Sequence, residues 1–275
     1  MFRRRFMMRT SGSWPTDSTA RSSADAAPPT GLVCAVHQPN FLPRLSTVAK
    51  LAAADVWVVL DDVQFNRRDY QHRARLGPVD GSGPTRWLSV PTHLPAGRAT
   101  LIRDARTVDA PRSIRRLEHV LRRHYGASPF WPRLAADLLG LLTLFRRTDR
   151  MAEIAEASTL LLLHVLGWSG ATVRSSTLSA GSGRTQRLVD LCRAVGADTY
   201  LCGTGGSRYI EPNLFTAGRV ELRQFGVPST GVWAGARQVS ALHSLMVHGP
   251  DVLRRALVPT PTPYVGASGA GRGGR

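Results

Sequence analysis

The stretch LVCAVHQPNFLPRLSTVAKLAAADVWVVLDD, residues 32–62, decides the fold class. Leu32 to Val36 is a short apolar run with the make-up of a buried strand. Pro43 suits the first turn of a helix, where its missing N–H costs nothing. Leu45, Val48, Ala49 and Ala52 then recur at helical spacing. The run from Asp55 to Val63 is continuous, apolar and rich in valine, as in strands covered on both faces of a parallel sheet. Residues 32–60 therefore read as one strand–helix–strand unit.

The same alternation continues along the chain. RWLSVPT (residues 86–92) is a strand candidate. Asp109 and Pro111 open a helix whose inner side carries Ile114, Leu117 and Leu121. Two more helices are expected over about residues 132–146 and 150–166, the second ended by Gly167. ATVRSS (171–176) reads as a strand. Ser182 is expected to cap a helix striped by Leu188, Leu191, Cys192 and Val195 and closed by Gly196. DTYLC (198–202) is a strand running into GTGGS. RVELRQF is a last short strand, and residues 239–247 a last helix. The expected class is α/β, a Rossmann-like parallel sheet with a helical insertion. One domain is expected over residues 31–260, between a disordered leader (1–30) and a disordered tail (261–275).

Bulk properties narrow the function classes. The net charge is +17, from 36 basic and 19 acidic residues, and Lys50 is the only lysine. Such a balance favours anionic partners such as phosphate, nucleotide or RNA. Yet no stripe of arginines interleaved with aromatics is visible in the sequence. No apolar run is long enough to span a membrane, and no signal core is present, so a cytoplasmic location is expected. Cys34, Cys192 and Cys202 lack zinc-site spacing and lie in apolar segments, as reduced core cysteines do. No metal site is expected, and the sequence names no cofactor. Nucleophile-elbow, HExxH and Walker motifs are all missing.

Three polar clusters fall at strand ends, where α/β sheets bind ligands. His37, Gln38, Pro39 and Asn40 precede a helix N-terminus. There a histidine can move a proton or stabilise charge, while Gln38 and Asn40 hydrogen-bond without titrating. The same side chains can also do no more than cap the helix. Asp61 and Asp62 end the second strand, followed by Gln64. Neighbouring strand residues face opposite ways, so the two carboxylates need not share a site. Salt bridges to nearby arginines are the alternative reading. NRRDYQHRARL adds Arg67, Gln71 and Arg73, a solvated basic face by default. Finally, Gly203 and Gly206 in GTGGSRY let a ligand approach the backbone, and Tyr209 follows them. A plain tight turn serves equally well.

HQPNFLP, DVWVVLDDVQF and YQHRARL strongly resemble the WbqC-like proteins of bacteria. RTQRLVDLCRAVGADTYLCGTGGSRYI resembles the second half of the same family, so the likeness spans roughly residues 33–250. His37, Gln38, Pro39, Asn40 and Pro43 match its first motif, and Asp61, Asp62, Gln64 and Phe65 its second. Gln71 and Arg73 match a following run in which Tyr70 stands for the usual tryptophan. Arg44 stands where an aromatic is usual. Gly203, Gly206 and Tyr209 match the later motif, while residues 226–240 depart from the family pattern. The resemblance implies a biosynthetic transferase acting on surface glycans or specialised metabolites. The opening strand, His-x-x-Asn and helix are also similar to HIGH-motif nucleotidyltransferases, with Asn40 in place of the second histidine.

The expected reaction is acyl or aminoacyl transfer to an amine or hydroxyl of a small-molecule substrate. In that reading His37 is general base or anion stabiliser, and Asp61 or Asp62 holds the amine. Arg67 and Arg73 hold the phosphates of a phosphate-bearing donor, tRNA among the candidates. The rivals are a nucleotidyltransferase or ATP-dependent ligase, and a non-catalytic nucleotide- or RNA-binding module.

Overall fold

The computed structural model describes residues 31–257, apart from 82, 207 and 208, and the backbone of 262–263. The expected leader lies outside the described residues. So does the expected tail, except for Thr262–Pro263.

The elements, in chain order, are β1 (Val33–His37), α1 (Leu45–Ala52), β2 (Val56–Val59), β3 (Arg73–Leu76), β4 (Arg86–Ser89), β5 (Thr92–His93) and β6 (Arg106–Thr107). The helical insertion follows as α2 (Ala110–Tyr125), α3 (Trp131–Phe145) and α4 (Met151–Val165). The second half consists of β7 (Ala171–Arg174), α5 (Arg184–Ala194), β8 (Thr199–Gly203), α6 (Pro212–Ala217), β9 (Glu221–Phe225), α7 (Ala241–His248), α8 (Pro250–Ala256) and β10 (Thr262–Pro263).

The central sheet runs β10-β9-β8-β1-β2-β7. The five strands from β9 to β7 are parallel, and β10 pairs antiparallel on the β9 edge. This is the expected α/β, Rossmann-like architecture with its helical insertion. Strand alternation divides the core. Ala35, Trp57, Val59 and Leu201 pack with α1, α4 and α7. Cys34, Val36, Val56, Val58, Tyr200 and Cys202 pack on the other face against Val189 and Leu191 of α5 and Phe215 of α6. Both faces of β1 and β2 are therefore covered, which is why their sequences are continuous apolar runs rather than alternating ones.

RWLSVPT forms strand as expected, as β4 and β5, but outside the main sheet: β4 pairs antiparallel with β3 in a separate ribbon, and β5 pairs with β6. Pro91, which lacks an N–H to donate, separates β4 from β5. One expectation for α5 is corrected in detail. Ser182 does not cap α5, whose N-cap is Gly183 with no side-chain cap. Asp190, one turn from the helix end, instead accepts from the Gly181 N–H at 2.8 Å and holds the entering chain. Asp109, by contrast, caps α2 as expected, accepting from the Arg112 N–H at 2.9 Å.

The insertion has a positional role. Its last helix, α4, grips the loop after β1. Thr159 Oγ1 donates to the Asn40 carbonyl at 2.8 Å, and the Leu42 N–H donates to Ser158 Oγ at 2.9 Å. Leu42 has a φ of 45°, unfavourable for a non-glycine residue. These buried bonds hold it there.

Candidate active site

The sheet order creates a crevice. From β1 the chain crosses to β2 on one side, while β8 flanks β1 on the other. The gap between the carboxyl ends of β1 and β8 is thus a topological switch point, the place where open α/β sheets bind ligands. A cavity of about 360 Å³ lies there, lined by His37, Arg44, Thr47, Lys50, Gly203 and Arg237 among others.

Lys50 is the cavity's buried charge. It is only 6% exposed although it is a lysine. Its Nζ donates to the Val36 carbonyl at 3.1 Å and lies 3.5 Å from His37 Nδ1. Burial pulls its pKa down to about 8, and the nearby Cys202 and Cys34 thiols offset part of that fall. His37 is held well below its usual range by burial first, then by the charges of Lys50 and Arg44. It is therefore a neutral imidazole at neutral pH. With Lys50 donating to Nδ1, the ring proton sits on Nε2, 3.2 Å from the Asn40 amide. A half-turn of that amide lets Oδ1, otherwise without a partner, accept the proton. Asn40, His37 and Lys50 then form one directed chain ending in the cavity.

The rim is basic. Arg44 Nη1 donates to the Arg237 carbonyl at 3.0 Å, and the buried Nε of Arg44 has no hydrogen-bond partner. The α1 N-terminus contributes less than the sequence suggests, because the Ser46 N–H is bonded to the Ala236 carbonyl at 3.0 Å. Gly203 and Gly206 line the cavity at the end of β8. A Cβ at Gly203 would come 3.4 Å from Lys50 Cδ, so the glycine keeps the space beside the lysine open.

The other expected site residues lie elsewhere. Asp61 and Asp62 follow β2, which ends at Val59, and bind the turn after β7. Asp61 is 4% exposed and accepts from the Ser176 N–H at 3.0 Å and Ser176 Oγ at 2.8 Å. Ser175 Oγ donates to Asp62 at 2.6 Å, as does Arg187 Nη2 at 2.6 Å. Burial acts to raise the Asp62 pKa, but these two donors outweigh it and hold the carboxylate below its usual range. Neither aspartate lines the cavity. Gln38 accepts from Gln71 Nε2 at 2.7 Å, tying the β1 loop to the chain before β3. Gln64 is exposed and donates to the Arg98 carbonyl at 2.5 Å. Arg67 is exposed and reaches the Thr92 carbonyl at 3.4 Å. Arg73 donates to the carbonyls of Asp69 and Arg68. Tyr209 is exposed beneath Arg184. Among the described residues, no group of three or more His, Cys, Asp and Glu stands together to hold a metal ion.

A model of the WbqC-like protein family matches residues 38–254. The chain belongs to the WbqC-like family. It is also 22% identical over 228 residues to the uncharacterized protein Rv1507c of Mycobacterium tuberculosis, covering 80% of this chain and 96% of that relative. No solved structure matches it significantly. Among the described residues of this WbqC-like chain, no helix is long and apolar enough to cross a membrane.

Sequence reasoning singled out His37 and the glycines but missed Lys50, Arg237 and the Ser175–Ser176 pair. Lys50 had one signal. A chain that uses arginine for every other basic residue keeps a lysine in an apolar helix, where arginine's fixed, always-charged fork is harder to bury.

Proposed function

We propose that this WbqC-like protein is a biosynthetic transferase. It moves an acyl or aminoacyl group from a phosphate-bearing donor to an amine or hydroxyl of a glycan or specialised-metabolite intermediate. The observation that carries this reading is the pair in the switch-point cavity, a neutral His37 against the only lysine of the chain. Acyl transfer needs a base for the acceptor's proton and positive charge beside the oxygen that becomes negative. An amine with a pKa of about 8 supplies the base in its neutral form and the charge in its protonated form. His37 orients it. The donor's phosphates fall to Arg44 and Arg237 rather than to Arg67 and Arg73, which are outside the cavity. Asp61 and Asp62 act as scaffold in this reading, because their acceptor positions are filled by Ser175, Ser176 and Arg187.

The test is a thermal-shift panel of acyl-CoA, nucleotide sugar, ATP and aminoacylated tRNA on wild type, His37→Ala and Lys50→Met. Stabilisation by one donor class that disappears in both variants supports the reading. A donor that stabilises all three proteins equally removes the cavity from the reaction. Pyrophosphate release from ATP would turn the assignment to nucleotidyl transfer.

A further inference from the structure

The β3–β4 ribbon carries a second assembly of functional side chains. Its pairing sets Arg75 opposite Trp87 and Arg73 opposite Ser89. Ala74, Leu76 and Leu88 are buried on its inner face. By alternation, Arg73, Arg75 and Trp87 share the outer face. Trp87 is 43% exposed, one of few large apolar side chains in the open.

These side chains connect to the cavity. The Arg73 guanidinium lies 4.2 Å from the Trp87 ring centroid. The Trp87 and Tyr70 rings are 5.6 Å apart and inclined at 45°. The Arg44 guanidinium lies 4.4 Å from the Tyr70 ring, and Arg44 also lines the cavity. The ladder Arg73–Trp87–Tyr70–Arg44 thus runs from the ribbon to the candidate active site. It is the arginine–aromatic interleaving that the linear sequence does not display, since its members come from three separate segments.

The ladder's charge is uncompensated. None of Arg44, Arg67, Arg73 and Arg75 forms an ion pair with a carboxylate among the described residues. Their hydrogen bonds go to carbonyls and to Thr85 Oγ1. A half-exposed tryptophan ring backed on one side by a guanidinium, among arginines with no carboxylate partner, suits a ligand that is both π-faced and anionic. A nucleotide has both properties: its base stacks on tryptophan or arginine, and its phosphates meet the cations.

We propose that the Arg73–Trp87–Tyr70–Arg44 ladder is a stacking platform for a nucleobase, whose attached phosphates reach Arg44 and the cavity. This deepens the transferase reading and rests on it for one point only, that the bound nucleotide belongs to the donor. The base comes either from a free nucleotide donor or from an unpaired RNA end.

Equilibrium binding of ADP, of a five-nucleotide unpaired RNA and of inorganic pyrophosphate tests it, on wild type, Trp87→Leu and Trp87→Phe. Pyrophosphate has no base and is the internal reference. ADP should bind more tightly than pyrophosphate. Trp87→Leu should weaken ADP and RNA by about 10- to 100-fold, the usual worth of one stacked base. Trp87→Phe should recover most of that loss. RNA binding at least tenfold tighter than ADP, with steep salt dependence, identifies an RNA end; equal binding identifies a free nucleotide. If ADP and RNA bind no better than pyrophosphate, and Trp87→Leu changes neither, the platform is wrong while the cavity's phosphate role stands. If pyrophosphate fails to bind while ADP still depends on Trp87, the cavity reading falls and the platform survives. A second measurement needs no variant. Photocrosslinking of 8-azido-ADP to wild type should label the peptides bearing Tyr70 or Trp87, and labelling confined to other peptides overturns the proposal.

Discussion

Lys50 Nζ lies 3.5 Å from Nδ1 of His37, at the carboxyl end of β1, with the lysine buried and the histidine partly so. Two basic groups at this distance cannot both carry charge cheaply in a low-dielectric pocket. The imidazole gives way first, because its ordinary pKa is the lower. The result is a site with one titrating group in the neutral range.

That group can be observed directly. Because Lys50 is the only lysine, protein grown with 13Cε-lysine gives a single side-chain resonance. Its chemical shift should titrate with a midpoint near pH 8 in the folded protein. A midpoint above 10 would mean that water reaches the amine freely, and the acid–base role would fall with it.

The same shift affects stability in alkali. The folded state releases the Lys50 proton near pH 8, whereas the unfolded chain holds it to about 10.5. Between these values the unfolded state binds more protons, so stability rises with pH. This contribution should add about 3 kcal/mol across the window relative to Lys50→Met. Denaturant midpoints of the two proteins, measured at pH 7.5 and pH 10, should therefore differ in slope. Parallel slopes would contradict it.

Acid works in the opposite direction. His37, His72, His124 and His243 are all held below the usual histidine range, mainly by burial, with His72 at about 4. Below about pH 6.5 the unfolded chain takes up protons that the folded protein refuses. Thermal midpoints should fall steadily from pH 6.5 towards pH 4.5. His37→Gln should flatten part of that fall; an identical profile would show that His37 protonates without cost.

Ser175 joins two strand ends, accepting from the Asp61 N–H at 3.3 Å and donating to Asp62 at 2.6 Å. Ser175→Ala leaves part-buried polar groups without partners, which costs about 1–3 kcal/mol. Urea unfolding should show that loss while pyrophosphate binding in the cavity is unchanged. Weakened pyrophosphate binding at full stability would bring the aspartate cluster into the site.

The fold was legible because β1, α1 and β2 obey local rules. VWVV can be little other than a strand covered on both faces, and Leu45 and Val48 define the helix before it; Pro43 does not sit in its first turn as expected but one residue ahead of its N-cap Arg44. The ribbon was not legible in the same way. RARL alternates arginine with small and apolar residues, and its charge hides the strand until the buried Ala74 and Leu76 are seen. The short helices α6 and α8 were missed as well, each only one or two turns long and opened by a proline. His37, Gly203 and Gly206 were found as strand-end residues, and the cavity unites them. Lys50 was missed because helical periodicity assigns a lone lysine to solvent, and nothing local reveals that β8 closes over it.

The switch-point crevice also has a consequence in time. Leu32, at the start of β1, bonds to Asp198, 166 positions later, at the start of β8. At a synthesis rate of about 5–20 residues per second, the partner emerges about 8–30 s after β1 does. Until then one edge of the Val33–Val36 strand has no neighbour and the crevice has only one wall. The nascent chain carries that edge open, and a growing fragment that ends before β8 lacks one wall of the cavity.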